Sequence, residues 1–77
     1  MKLCIYQLHN NKYYIEKTHD PIYSFQRHID GIGSHITRLY LPIMIYDIID
    51  ITNDIDYQHT IDKYKMMFGE KNIICNI

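Results

Sequence analysis

The chain has 77 residues, 47% of them hydrophobic, which predicts one folded domain over residues 1–77 and excludes a disordered chain. The formal net charge of −1 excludes the strongly basic footprint of a dedicated nucleic-acid binder. No run of about 18 apolar residues occurs, so we expect no membrane partner and no segment that crosses a bilayer.

The two cysteines, Cys4 and Cys75, lie near opposite ends of the sequence. Two such thiols do not form a disulfide framework, and they fit a reducing compartment better than an oxidising one. We therefore expect an intracellular location.

Two segments rich in strand-forming residues open the chain, at 2–8 and 12–17. Between them, His9-Asn10-Asn11 supplies residues that are typical of turns. Residues 2–17 are therefore predicted to form a β-hairpin.

A helix is predicted to begin at Asp20-Pro21, where Asp is a good N-cap and Pro is favoured in the first helical position. It is predicted to end at the glycines of 31–33. Its buried face is predicted from three apolar residues at helical spacing: Ile22, Phe25 and Ile29.

Residues 34–40 are ambiguous and fit one or two helical turns. The segment 43–51 (IMIYDIIDI) is almost continuously apolar, which predicts a central strand covered on both faces.

A last helix is predicted to begin with a cap at Thr52 or Asn53 and to end at Gly69. Its buried stripe is predicted to contain Ile61, Tyr64 and Phe68, with Met67 beside it. The tail 72–77 (NIICNI) is a candidate for a short final strand. The fold class is therefore a small α/β or α+β layer fold, with helices packed on a three-stranded sheet.

Four blocks of sequence, in order and in register, are KYYIEKT, QRHIDG, GIGSHITRLYLPI and DKYKMMFGEKNI. From about residue 2 to 73 the chain resembles the GIY-YIG nuclease superfamily, in the short stand-alone version found in large DNA viruses and some bacteria. The resemblance implies a three-stranded antiparallel sheet flanked by helices. It also implies cleavage of a DNA phosphodiester with one divalent metal ion.

The resemblance assigns the second-motif tyrosine, which holds the scissile phosphate, to Tyr14. The glycine that follows in the family is replaced by Glu16. Counting back without gaps, the first-motif tyrosine falls on Cys4. Tyr6 takes this role if the hairpin is two residues shorter, because positions two apart share a strand face.

The family's helical arginine falls on Ser24, and Arg27 lies one turn further along, next to the matching His28. The metal-binding glutamate falls on Tyr57, with Asp56 beside it. Asp56 and Glu16 are therefore the candidate metal ligands, and either would be a relocated ligand. The five histidines show no spacing that is typical of a zinc site.

Four basic residues are candidates for a rim that contacts phosphates without reading bases: Lys12, Lys17, Arg27 and Arg38. The alternative is an ordinary mixed surface, because the charge pattern alone is not distinctive.

Three hypotheses follow for the function. The first is a catalytically depleted GIY-YIG domain, a pseudoenzyme that binds nucleic acid or protein and needs no cofactor. The second is an active DNA endonuclease that uses Mg²⁺ or Mn²⁺ with relocated residues. The third is a protein-interaction domain that forms a homodimer through a sheet edge.

Overall fold

The β-hairpin predicted at the start of the chain is confirmed, and its two strands form the middle of a sheet. The structure, a computed structural model, describes residues 1–75. Strands β1 (Lys2–Leu8) and β2 (Tyr13–Thr18) pair antiparallel. A 3₁₀ turn joins them, in which Asn10 and Asn11 have positive φ angles of 64° and 59°. Asparagine is one of the few residues that tolerate this conformation.

Two further strands complete the sheet, one at each side of the hairpin. Strand β3 (Pro42–Asp50) pairs antiparallel with β1, and strand β4 (Ile73–Cys75) pairs parallel with β2. The strand order is β3-β1-β2-β4. The fold class is α+β, but the predicted three-stranded antiparallel sheet is corrected to a four-stranded mixed sheet. The final strand forms within the tail where it was considered, and residues 76–77 of that tail lie outside the described part.

Strand β3 lies at the edge of the sheet, so the prediction of a covered central strand was wrong. Its exposed residues include Met44 and Ile48. The central position belongs to β1, in which residues 3–6 are fully buried. An isoleucine-rich run fits either position, because this chain uses isoleucine on its surface as well as in its core.

Helices α1 (Pro21–Ile29) and α2 (His35–Leu39) cover one face of the sheet. The Asp20 carboxylate accepts a hydrogen bond from the Tyr23 amide at 3.1 Å, which confirms the predicted cap of α1. The Ser34 hydroxyl accepts from the Thr37 amide at 3.3 Å and starts α2. Within the ambiguous segment 34–40, residues 35–39 are therefore helical.

The predicted buried face of α1 is confirmed at Phe25 and wrong at Ile22 and Ile29. Ile22 is 69% exposed and Ile29 is 49% exposed, whereas Phe25 packs against the sheet and His28 is buried. Burial of His28 is tolerated because both of its ring nitrogens have polar neighbours.

Helix α3 (Asp54–Phe68) packs on the opposite face of the sheet. Its cap is Asn53, whose side chain accepts from the Asp56 amide at 2.9 Å. The predicted stripe is confirmed, since Ile61 and Tyr64 are buried and Phe68 packs on the same cluster. Met67, predicted to lie beside it, is half exposed.

Alternate residues of the hairpin supply two separate cores. Ile5 and Tyr13 belong to the core under α3, whereas their chain neighbours Tyr6 and Tyr14 belong to the core under α1 and α2. Within the described residues, none of the helices has the length and apolar character needed to span a bilayer.

Candidate functional site

The hairpin brings four of the candidate site positions onto the face that α1 and α2 cover. In the β1–β2 register, Tyr6 is opposite Tyr14 and Cys4 is opposite Glu16. Cys4, Tyr6 and Tyr14 form the buried core on this face. Both positions considered for the first-motif tyrosine, Cys4 and Tyr6, therefore lie on the same face as Tyr14.

Glu16 lies at the rim of this core and has two buried polar neighbours. The Tyr6 hydroxyl donates to Glu16 Oε1 at 2.9 Å. His28 Nε2 lies 3.3 Å from each carboxylate oxygen. The Glu16 side chain is only 14% exposed. A carboxylate in this position is held by internal contacts on both oxygens.

His28 is fixed from its other side by α2 and the loop before it. Nδ1 lies 2.8 Å from Thr37 Oγ1, and the Ser34 amide donates to Nδ1 at 3.4 Å. These contacts suit a ring in which Nδ1 accepts and Nε2 carries the proton toward Glu16. A Cβ at Gly33 would lie 2.1 Å from Nδ1, so the ring needs a glycine at this position.

A hollow of about 260 Å³ opens beside these groups. Arg27 forms part of its wall, and Arg27 Nη2 donates to the Ile32 carbonyl at 3.1 Å. The hollow thus combines an exposed cation with a carboxylate, an imidazole and two hydroxyl groups. Its full lining is Glu16, Ser24, Arg27, His28, Gly33 and Ser34.

Burial raises the pKa of the thiol and phenol groups in this core. It raises the pKa of the Cys4 thiol to about 11, with a smaller opposing hydrogen bond from Tyr6. It also raises the pKa of Tyr6, to which the contacts with Cys4 and Glu16 add. The pKa of Tyr14 is raised by burial against a lowering hydrogen bond from Ser34. At neutral pH these groups are hydrogen-bond donors, and Cys4 is not a nucleophile.

The second candidate metal ligand, Asp56, is far from the hollow. It lies in the first turn of α3, on the other face of the sheet, and its carboxylate accepts from the Thr52 amide and hydroxyl at 3.3 and 3.1 Å. The structure therefore does not bring Asp56 and Glu16 together. Among residues 1–75, no group of three or more His, Cys, Asp and Glu side chains is arranged to hold a metal ion.

Of the four candidate phosphate-binding residues, Arg27 alone lines the hollow. Lys12 Nζ donates to the Lys71 carbonyl at 3.2 Å, and Arg38 is exposed on α2. Lys17 Nζ donates to Asp54 at 3.3 Å, on the α3 side of the molecule. The positive charges are therefore spread around the sheet rather than gathered into one rim.

Sequence reasoning missed Thr37, which is completely buried against His28. It used Gly33 as a helix end and Ser34 as the start of an ambiguous segment and named neither as a site residue, although both line the hollow. The spacing of Ser34 and Thr37 is a helix-start pattern, and both residues also lie in one of the four blocks that carry the resemblance.

Comparisons with protein-family models, with curated proteins and with solved structures give no significant match to this chain.

Proposed function

We propose that the chain is a catalytically depleted, GIY-YIG-like domain that binds nucleic acid through the hollow beside Arg27. One observation carries the proposal: the Glu16 carboxylate is bonded by Tyr6 and lies against His28, at the position where the resemblance expects a glycine. Both oxygens of this carboxylate already have polar contacts within the protein, so it is poorly placed to bind a metal ion.

The protonation of the tyrosines supports the loss of catalysis. A general base must accept a proton at the working pH. Burial raises the pKa of Tyr6 and of Tyr14, and the Tyr6 proton is directed at Glu16. Neither hydroxyl is suited to activate water.

Retention of binding is supported by Arg27, whose guanidinium is exposed at the mouth of the hollow. A guanidinium can donate two parallel hydrogen bonds to one phosphate group. Because the net charge is −1, we expect the binding to be weak. Because the contacts are made mainly to phosphates, we expect the affinity to fall with salt concentration. The free thiols Cys4 and Cys75 suit the reducing, intracellular compartment that we also propose.

The test is fluorescence anisotropy of labelled single-stranded and double-stranded DNA at rising salt concentration. We expect binding that falls between about 50 and 200 mM salt and that weakens in Arg27→Gln. Lys63→Gln is the matched control, because it removes the same charge from α3 on the other face. No binding at the lowest salt, or equal weakening in both variants, would reject the proposal.

A second candidate function is metal-dependent DNA cleavage. It is favoured by the contact of the Tyr6 hydroxyl with Glu16, which lines the same hollow as Arg27. This function requires Mg²⁺ or Mn²⁺ held by Glu16. It predicts cleavage of DNA that is lost in Glu16→Gln and in Tyr14→Phe. Absence of cleavage above background at high protein concentration dismisses this candidate.

A third candidate function is homodimerisation through a sheet edge. The outer edge of β3 supports it, because Ile43, Met44 and Ile48 are exposed there and no strand of residues 1–75 pairs with this edge. Analytical ultracentrifugation tests it, and a monomer at all accessible concentrations would exclude it.

A further inference from the structure

One aromatic ring is exposed on the outer surface of α1. Tyr23 is the most exposed of the eight tyrosines, at 60%, whereas the others pack in or against the two cores. Its backbone is ordered, because the Tyr23 amide donates to the Asp20 carboxylate at 3.1 Å in the cap of the helix. The ring is therefore carried by a fixed helical turn while its side chain remains open to solvent.

The neighbour of Tyr23 one turn along α1 is Arg27, a wall residue of the hollow. Arg27 Cζ lies 5.9 Å from the centre of the Tyr23 ring, within the range of a cation–π contact. The Ile32 carbonyl uses one N–H of this guanidinium, and a guanidinium has several further donors that a ligand can use. An aromatic ring and a cation suited to phosphate thus lie side by side on one surface.

This pair of groups matches the chemistry of a nucleotide in an unpaired strand. Such a nucleotide carries a phosphate next to a flat base, and every base has a π face that can stack on an aromatic ring. In a duplex the bases are paired and stacked on one another, so their faces are not available to a side chain at the surface. A ring beside a phosphate-binding cation therefore favours single strands.

We propose that Tyr23 is a stacking site for an unpaired base beside a phosphate held by Arg27, so that the domain binds single-stranded nucleic acid in preference to duplex. This preference rests on the proposed function, because it requires Arg27 to hold a phosphate. The resemblance assigns no role to Tyr23. Stacking also adds affinity that does not depend on positive charge, of which this chain has little to offer.

The experiment measures fluorescence anisotropy with three labelled probes. They are a short thymidine strand, an abasic strand with the same number of phosphates, and a duplex of the same length. We expect the thymidine strand to bind at least about fivefold more tightly than the abasic strand, from the stacking of one base, and more tightly than the duplex.

Variants separate the ring from the charge beside it. Tyr23→Ala should remove the advantage of the thymidine strand, and Tyr23→Phe should retain it, because the ring remains. The dependence of affinity on salt should be the same in Tyr23→Ala and the wild type. In Arg27→Gln, the slope of log affinity against log salt concentration should become shallower by about 0.7, the value for one phosphate contact on a single strand.

The matched control is Ile22→Gln, which should bind all three probes like the wild type. It changes a side chain that is 69% exposed on the same turn of α1 but has no aromatic ring. Because Ile22 and Tyr23 are both exposed, their variants are expected to fold.

The three probes allow the stacking site and the proposed function to fail separately. Equal affinity for the thymidine and abasic strands would overturn the stacking site and leave phosphate binding at Arg27 intact. A base-dependent gain that survives in Tyr23→Ala would overturn it as well, and a duplex bound as tightly as the thymidine strand would overturn the preference for single strands. Failure of all three probes to bind at low salt rejects the proposed function, and the stacking site with it.

Discussion

At the scale of single residues, the position of His28 depends on groups from three parts of the chain. Glu16 on β2 and Thr37 on α2 lie 3.3 and 2.8 Å from its two ring nitrogens. Gly33, in the loop between the helices, leaves the space that the ring occupies. The geometry of the hollow therefore depends on a residue without a side chain.

We expect Gly33→Ala to destabilise the fold by about 1–3 kcal/mol, the usual cost of overpacking a filled core. The new methyl group and the His28 ring cannot occupy the same space, since a Cβ would lie 2.1 Å from Nδ1. The measurement is urea unfolding followed by circular dichroism.

The control for Gly33→Ala is the same substitution made in His28→Ala. Without the ring, the methyl group has room, and the cost should fall below about 0.5 kcal/mol. An unchanged cost in that background would show that Gly33 is needed for another reason.

Sequence reasoning could place Glu16, Arg27 and His28 among the candidate site residues but could not give their contacts. The Tyr6–Glu16 hydrogen bond depends on which residues of the hairpin face each other. That register is set by the turn, and several turn lengths fit the same pattern. The contact of His28 with Thr37 joins two helices, and no local pattern encodes it.

At the scale of elements, α1 shows how a helix can be predicted with correct ends and a buried face that is only partly correct. Asp20 and Pro21 specify its start through local chemistry, so its position in the sequence was predictable. Which face of α1 is buried depends on the elements that it packs against. Of the three residues chosen by hydrophobicity, Ile22 and Ile29 are exposed, and only Phe25 packs on the hairpin. The buried face is completed by His28.

We expect Ile22→Gln and Ile29→Gln to change the free energy of unfolding by less than about 0.5 kcal/mol each, as exposed substitutions do. Phe25→Ala should cost about 2–4 kcal/mol, because its ring stacks on Tyr6 with centroids 5.9 Å apart. Thermal and urea unfolding of the three variants measure these differences. A large loss in either isoleucine variant would mean that the predicted face is the buried one after all.

Strand β3 shows that the place of a strand in the sheet, like the buried face of a helix, depends on packing partners that its own sequence does not specify. Its sequence resembles a covered strand, yet its edge position follows from the pairing of β1 with β2 and β3. The two irregularities in its pairing with β1 could not be predicted from an apolar run. Irregularities of this kind increase the local twist of an edge strand.

At the scale of the whole molecule, several weakly acidic groups are buried in the neutral form on both faces of the sheet. Burial raises the pKa of Cys4 to about 11 and also raises the pKa of Tyr6 on one face and of Tyr64 on the other. The folded state thus holds these protons at pH values where the unfolded chain has released them.

We expect stability to fall as the pH rises above about 8.5, the ordinary pKa of a thiol, toward the folded value of Cys4 near 11. The folded state binds more protons in this window, so the free energy of unfolding decreases with pH. One such group contributes up to about 1.4 kcal/mol per pH unit. Urea midpoints across this range measure the slope.

In Cys4→Ala, the slope between about pH 8.5 and 10 should be shallower, although the variant is less stable at neutral pH because it leaves a cavity. The tyrosines, whose ordinary pKa is near 10, act in the upper part of the window. A slope unchanged by Cys4→Ala would assign the alkaline loss to other groups.

The division of the hairpin between two cores restricts how its loop can change length during evolution. Inserting or deleting one residue at the tip would move every side chain of β2 to the other side of the sheet, so that Tyr13 and Ile15 would lie on the face of α1 and α2 instead of Tyr14 and Glu16. A change by two residues leaves each side chain on its original side and only slides it along β1. Related chains should therefore differ at this loop by even numbers of residues.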